Sequence, residues 1–142
     1  MNTNNSLKVV LDTNALLRTI AGTSVYKHIL DKLLDNQFDL FLTTEILLEY
    51  EEKIAHFFSP QTAELITGAL SLLPNVRDTK IFYNLNLIST DEDDNKFVDC
   101  AFAANVNFLV TDDKHYNILK TVAFPKINTI SLADFSALLL NG

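Results

Sequence analysis

The sequence predicts an α/β fold, a three-layer α/β/α sandwich in which helices cover both faces of a central, mostly parallel sheet. Short apolar segments rich in β-branched residues alternate along the chain with segments whose apolar residues recur every three or four positions. The first pattern is typical of buried strands and the second of amphipathic helices. Strands that are apolar on both faces are expected in a parallel sheet that helices cover on both sides.

The predicted strands and helices alternate from the first strand to the closing helix. Either Thr43 or Thr44 is suited to cap the second helix, and Ser59 followed by Pro60 is a typical start for the third. The weakest pattern lies at residues 76–88, where we expect a short strand near residues 80–83 and a loop. The predicted strands are residues 8–12, 38–42, 107–111 and 128–131. The predicted helices are residues 23–36, 44–58, 60–73, 94–102, 115–119 and 132–140.

Length and composition are those of an ordinary globular chain. The 142 residues, of which 48% are hydrophobic and 20% charged, predict a single domain over residues 1–142. The apolar runs are shorter than the roughly 20 residues that a membrane-spanning helix needs. The single cysteine, Cys100, excludes an internal disulfide and a cysteine-rich zinc site, and it is predicted to be a small buried hydrophobe. We therefore expect a cytoplasmic protein without a membrane segment.

Acidic residues collect where the predicted strands end. Because ligands bind beyond the carboxyl ends of the strands in an open parallel sheet, acids at this edge are candidates for a functional site. The first group ends the first strand, and the second follows the second strand. The third group opens the helix that leads into the third strand, and the fourth follows that strand. The four groups are Asp12, then Glu45 with Glu49, then residues 91–94, and finally Asp112 with Asp113.

Helical periodicity distinguishes some of these acids. Asp94 lies on the same face as the apolar residues of the helix it opens, at spacings of three, four and seven, so it is predicted to point towards the sheet. Asp91 and Asp93 are explained as capping acids, and Asp99 falls off the apolar face. Spacing leaves open whether Glu45 or Glu49, one helical turn later, belongs to the site.

Each acid also has a purely structural explanation. Asp12 is suited to cap a following helix, and Glu49 to lie on a solvated helix face. The acids at residues 91–94 suit the positive end of a helix dipole, and Asp112 with Asp113 suits a turn. These explanations do not predict that all four groups meet at one edge of the sheet.

Converging carboxylates predict a site for a hard divalent cation. Carboxylates held close together repel one another and take up protons unless a cation joins them. Oxygen ligands without His or Cys favour Mg²⁺ or Mn²⁺ over zinc. Because such an ion polarises a phosphodiester and activates a bound water, metal-assisted phosphate chemistry is predicted. His115, close to these acids, is interpreted as a structural residue or a phosphate contact rather than a general base, and His28 and His56 as surface residues.

Several stretches resemble the motifs of PIN domains, the PilT N-terminus family of nucleases. Residues 9–17, with Asp12, Thr13 and Asn14 after a strand, resemble the opening motif, and residues 47–50 resemble the middle acidic motif. The second signature of the family is a helix that begins with Asp, followed by a strand that ends in Thr, any residue and Asp. The helix from Asp94 and the strand that ends in Thr111 and Asp113 resemble it. The resemblance covers nearly the whole chain, and it is nearest to the bacterial toxin components of toxin–antitoxin systems.

The resemblance implies a nuclease that cleaves RNA with Mg²⁺ or Mn²⁺ and water as the nucleophile. It carries the acidic site over to Asp12, Glu49, Asp94 and Asp113, of which Asp12, Asp94 and Asp113 are the expected metal ligands. It further implies that Asn14 and Thr111 orient the acids by hydrogen bonds and that Asp99 is a reserve ligand. Asp112 stands where the family commonly has a small residue, which leaves open whether it or Asp113 binds metal. A homodimer and an inhibitory antitoxin partner are also implied.

Two other functions remain open at this point. The formal net charge of −7, from 11 basic and 18 acidic residues, is unusual for a nucleic-acid binder and favours a catalytically silent module that binds RNA or a partner protein. A phospho-acceptor domain of the receiver type is also doubly wound with acids at one sheet edge. Receiver domains need a lysine at the end of a later strand, but this chain has Thr111, Asp112 and Asp113 there. The metal-dependent endoribonuclease is therefore the leading hypothesis.

Overall fold

The computed structural model describes residues 6–141, so the first five residues and the last residue of the predicted 1–142 domain lie outside it. It confirms the α/β class. Five parallel strands form one sheet in the order β3-β2-β1-β4-β5, with helices packed on it. The strands are β1 (Lys8–Leu11), β2 (Asp39–Leu42), β3 (Val76–Asp78), β4 (Phe108–Val110) and β5 (Thr129–Ile130). The helices are α1 (Thr13–Ile20), α2 (Lys27–Leu34), α3 (Thr44–Phe57), α4 (Pro60–Leu72), α5 (Asn95–Ala104) and α6 (Leu132–Asn141). Two 3-10 helices cover Glu92–Asp94 and Lys114–Thr121.

The sheet has its topological switch point beside β1. From β1 the chain moves outward to β2 and β3, then crosses back over the sheet to place β4 on the other side of β1. Leu11 at the end of β1 pairs with Val110 at the end of β4, so the residues that follow both strands lie side by side. This is the position at which open parallel sheets bind ligands.

The central strand is buried on both faces. Val9, Val10 and Leu11 are almost entirely inaccessible to solvent, because helices cover the two sides of the sheet. Cys100 is fully buried in the same core, as the sequence predicted for a small hydrophobe. None of the helices among residues 6–141 is long and apolar enough to cross a lipid bilayer.

The first helices differ from the prediction in number and position. The sequence reading assigned no helix to residues 13–20, but α1 forms there because the Asp12 side chain caps it, accepting from the Ala15 backbone N–H at 2.8 Å. The helix predicted at residues 23–36 begins only at Lys27. Ser24 holds the preceding residues in a turn, since its hydroxyl donates to the Arg18 carbonyl at 2.6 Å and accepts from the Tyr26 N–H at 3.0 Å.

The third strand lies earlier than predicted. It occupies Val76–Asp78 and pairs with β2, whereas the strand expected at residues 80–83 is absent from the described chain. The reason is that Phe82 and Tyr83 are 82% and 73% exposed, so this apolar run does not face the sheet. Asn95 instead anchors the following loop, with its amide bonded to both backbone groups of Ile88 at 2.9 Å.

Helix α5 is buried on more than one face. The sequence placed Asp99 off the apolar face of this helix, yet the side chain is buried because the loop that precedes the helix packs over it. Its carboxylate accepts the Leu85 backbone N–H at 3.0 Å. The helix therefore lies between the sheet on one side and residues 79–90 on the other, which a single apolar stripe does not reveal.

Helix α3 follows β2 directly and is fixed at both its start and its middle. Thr43 rather than Thr44 is the cap, since its hydroxyl accepts from the Ile46 N–H at 3.1 Å. Two turns after this cap, the hydroxyl of the fully buried Tyr50 donates to the Leu11 carbonyl at 2.6 Å. Because Leu11 is the last residue of β1, this bond holds α3 against the end of the central strand.

We expect Tyr50→Phe to lower the free energy of unfolding by about 1–2 kcal/mol, since it deletes one short buried hydrogen bond and leaves the ring packing intact. Tyr116→Phe is the matched control. That tyrosine is also buried, but its hydroxyl lies 3.5 Å from the Asp94 carbonyl, too long for a strong hydrogen bond. Urea-induced unfolding followed by circular dichroism measures both changes. Equal losses for the two variants would contradict the prediction.

Candidate metal centre

A cavity of about 250 Å³ opens at the carboxyl edge of the sheet, at the switch point between β1 and β4. All four acids of the predicted site line it, although they come from four separate parts of the chain. They are Asp12, Glu49, Asp94 and Asp113. A neighbouring cavity of about 180 Å³ shares Asp12 and Asp113 with the first and adds Arg18 and Asp112.

Asp12 is the most buried acid of the cavity, with 5% of its surface exposed. Its Oδ1 atom caps α1, and its Oδ2 atom accepts a hydrogen bond from the Thr111 hydroxyl. The pKa of Asp12 is raised to about 6, chiefly because burial removes the hydration of the charged form and to a smaller extent because the carboxylates of Asp94 and Asp113 lie nearby. The hydrogen bonds only partly offset this effect.

Thr111 links two of the acids. While its hydroxyl donates to Asp12, the same oxygen accepts from the Asp113 backbone N–H at 3.0 Å. The Asp113 side chain in turn accepts from the His115 N–H at 2.9 Å and caps the 3-10 helix that follows. The turn after β4 is therefore fixed by side-chain hydrogen bonds, and it holds Asp113 at the cavity.

Asp94 carries an oxygen without a hydrogen bond. Its Oδ2 atom is buried and has no partner among the described residues. The nearest ring nitrogen, His115 Nδ1, lies 3.4 Å away and 3.3 Å from Asp113 Oδ1. Burial raises the pKa of Asp94, and the carboxylates of Asp91 and Asp113 add to the rise. Within residues 6–141, the trio with ligand atoms all within 4.8 Å of one another is Asp91, Asp94 and His115.

Glu49, in contrast, is fully engaged by hydrogen bonds. Its Oε1 atom accepts from the Lys96 ammonium at 2.6 Å, and its Oε2 atom accepts from the Thr13 hydroxyl. The Lys96 side chain is 7% exposed and also pairs with Asp93 at 2.7 Å. Burial alone lowers the pKa of Lys96, but the hydrogen bonds to Asp93 and Glu49 outweigh it and the pKa is raised.

Sequence reasoning missed Lys96 and Thr13. A signal for Lys96 was present: a cation in the first turn of a helix opposes the helix dipole, so a lysine there requires an acidic partner. Thr13 also had a signal, since it lies in the opening motif between Asp12 and Asn14, but the sequence analysis gave it no role. Asn14 itself lines the cavity and is exposed, and no hydrogen bond joins its side chain to the four acids within the described chain.

The remaining candidates lie elsewhere. Glu45 and Asp99 line a separate cavity of about 280 Å³ on the other side of Lys96, so the structure does not bring them to the four acids. Asp112 turns away from the main cavity, since it forms an ion pair with Arg18 and accepts the Leu132 N–H at 3.0 Å. The main cavity is thus lined by Glu49 and Asp113 and not by Glu45 or Asp112. His28, predicted to lie at the surface, is half-buried and bonds Ser136 at 3.0 Å.

The donor atoms of the main cavity suit a hard divalent cation in their chemistry, although in the described chain the ligand atoms that all lie within 4.8 Å of one another belong to Asp91, Asp94 and His115. Asp12, Asp94 and Asp113 offer oxygen donors only, and no Lys or Arg ion pair involves them within the described chain. The Asp94 Oδ2 atom, which is buried without a hydrogen-bond partner in the described chain, is an oxygen donor available to such an ion.

Comparison with known proteins gives a family and a fold. No curated protein is significantly similar to the chain in sequence. Among solved structures, the chain resembles a chain in the crystal structure of VapBC2 from Rickettsia felis, which was solved bound to a DNA fragment from the VapBC2 promoter. The TM-score is 0.60 at 17% identity, and the match covers 88% of this chain and 98% of that one. The profile of the PIN domain family matches residues 8–115, which include every acid of the main cavity, and the protein is thus a member of the PIN domain family.

Proposed function

We propose that the protein is an endoribonuclease that hydrolyses RNA phosphodiester bonds with Mg²⁺ or Mn²⁺. The observation that carries this proposal is the meeting of Asp12, Glu49, Asp94 and Asp113 in one cavity at the switch point of the sheet. Structural capping alone explains why single acids follow strands, but it does not require four of them to share a cavity. Membership in the PIN family, whose members are typically nucleases, agrees with this assignment.

Asp12, Asp94 and Asp113 would hold the cation. The bound ion would supply positive charge for the phosphate oxygens and a water of lowered pKa. Thr111 orients two of these ligands at once, since it contacts the side chain of Asp12 and the backbone of Asp113. Asp94 Oδ2, which lacks a hydrogen-bond partner, is free to bind the cation.

Two further residues of the cavity suit a nucleic-acid substrate. Lys53 lines the same cavity as the acids and offers an ammonium group to a phosphate oxygen. Phe57, also in the lining, is 63% exposed, and an exposed aromatic ring is a surface on which an unpaired base stacks. These side chains and the cation answer the objection that a chain of net charge −7 repels RNA.

The proposal extends to a homodimer and to an inhibitory partner protein, so that the nuclease is the toxin of a toxin–antitoxin pair. The partner is supported by the structural likeness to a chain of VapBC2, which was solved on a fragment of promoter DNA. Light scattering of the purified protein, alone and with the product of an adjacent small reading frame, tests both associations.

Asp113→Asn should abolish RNA cleavage, because it removes a charged ligand while the side chain keeps its shape. Asp112→Asn is the matched control: its carboxylate pairs with Arg18 and lies outside the main cavity, so cleavage should persist. The measurement is the cleavage of structured and single-stranded RNAs by purified protein, with Mn²⁺ and with EDTA. A loss of about a hundredfold or more is expected for the first variant, as for other changes at charged catalytic groups.

Two results would count against this assignment. Intact RNA in every lane at high protein concentration, together with measurable Mn²⁺ binding, would favour the silent binding module. Wild-type activity in both Asp113→Asn and Asp112→Asn would show that the acid pair after β4 does not hold the metal. His115→Gln should retain Mn²⁺ binding, and loss of binding in that variant would move the ion to Asp91, Asp94 and His115.

Asp12→Asn should stabilise the metal-free protein near neutral pH while weakening Mn²⁺ binding. The pKa of Asp12 rises from 3.8 to about 6 on folding, so the folded state holds this proton more tightly than the unfolded state. The free energy of unfolding therefore falls as the pH rises between these two values, in total by about 3 kcal/mol. Urea unfolding in EDTA at about pH 5 and pH 7 should show an advantage of the variant that grows with pH.

The test is whether Asp12→Asn raises the stability of the metal-free protein and at the same time lowers its affinity for Mn²⁺. A general loss of structure in Asp12→Asn would lower both the stability and the Mn²⁺ affinity. An advantage that does not change with pH would show that the Asp12 carboxyl group does not titrate as burial requires.

A further inference from the structure

We propose that Lys96 is a built-in cation that takes the place of a second divalent ion, so that the cavity binds a single metal ion. This inference rests on the proposed metal site and concerns the number of ions that it holds. Lys96 neutralises Glu49 from behind the lining of the cavity, whereas Asp12, Asp94 and Asp113 have no lysine or arginine ion pair in the described chain.

The Lys96 ammonium is saturated with acceptors. It donates to Glu49 Oε1 at 2.6 Å, to Asp93 Oδ1 at 2.7 Å and to the Asp93 carbonyl at 3.0 Å. Three acceptors match the three N–H bonds of an ammonium group. With only 7% of the side chain exposed, Lys96 is not a surface lysine that reaches a carboxylate by chance.

Both oxygens of Glu49 are committed by the same arrangement. Lys96 occupies one oxygen and the Thr13 hydroxyl the other, and the Glu49 side chain is only 16% exposed. Asp94 shows the reverse, because its buried Oδ2 atom has no partner. The cavity therefore contains one satisfied carboxylate and at least one that is not.

Charge leaves room for one ion. Asp12, Asp94 and Asp113 in their ionised forms carry three negative charges, and one divalent ion neutralises two of them. Within the lining of this cavity, a second ion would have to take a ligand from Glu49, which would leave the Lys96 ammonium desolvated and close to a metal. Separating a buried ion pair in this way is strongly unfavourable, and two cations side by side repel each other.

Mn²⁺ stoichiometry tests the inference. Isothermal titration of the wild-type protein should give one ion per chain, and Lys96→Met should give two, because Glu49 is then free to act as a ligand. Lys53→Met is the matched control: it removes a lysine from the lining of the same cavity but leaves the Glu49 pair intact. It should bind one ion, like the wild type.

A second measurement uses the unaltered protein, in case Lys96→Met does not fold. Acetylation of lysines by a water-soluble reagent, mapped by mass spectrometry, reports whether the ammonium of Lys96 is free. The side chain should stay protected at saturating Mn²⁺, while Lys27, which is 49% exposed, reacts throughout. Deprotection of Lys96 by Mn²⁺ would mean that an ion displaces it from Glu49, and this would overturn the inference.

The outcomes separate this inference from the proposed function. A wild-type protein that binds no Mn²⁺ would overturn both. A wild-type protein that binds two ions, or one ion in both the wild type and Lys96→Met, would overturn the role of Lys96 and leave the nuclease proposal standing.

Discussion

The burial of the Asp12 carboxyl group at the end of the central strand is the constraint on which the rest of the site depends. Burial raises the pKa of this group to about 6, so near neutral pH the folded protein holds a charge that water no longer stabilises. A buried charge of this kind requires compensation from hydrogen bonds, from a counter-ion or from protonation. Thr111 and the first turn of α1 supply the hydrogen bonds, and the cavity leaves space beside the other acids for a counter-ion.

The buried negative charges of the cavity are compensated to different extents. Glu49 is neutralised within the protein, by Lys96 and by the hydroxyl of Thr13. Asp94 is not, since one of its oxygens is buried without a partner. One side of the cavity is therefore neutralised by internal ion pairing, whereas the other holds a buried carboxylate oxygen without a hydrogen-bond partner in the described chain.

Structural and functional roles of these acids are not alternatives. Asp12 and Asp113 both cap the helix that follows them, as their positions after strands require. Each carboxylate has two oxygens, however, so Asp12 caps α1 with one and faces Thr111 with the other. The helix cap fixes the rotamer of the side chain, and a fixed rotamer is what a site needs to hold a ligand in one position. The explanation of an acid as a helix cap therefore does not argue against a site.

The sequence by itself determined the fold class and the edge of the sheet at which the acids meet. Apolar strands and amphipathic helices have distinct periods, and parallel strands place their carboxyl ends together, so local patterns located the four acidic groups and selected Asp94. The choice of Glu49 and Asp113 within their groups came from the resemblance to PIN domains. Only the tertiary structure decided the strand at Val76–Asp78, the late start of α2 and the burial of Asp99. The start of α2 depends on the local turn at Ser24, which hydrophobic periodicity does not register. The strand depends on pairing with β2, and the burial of Asp99 depends on the loop that carries Leu85, so both need contacts between separate segments. The same holds for Lys96: its partner Glu49 lies 47 positions away, and only packing of α3 against α5 brings the two charges together.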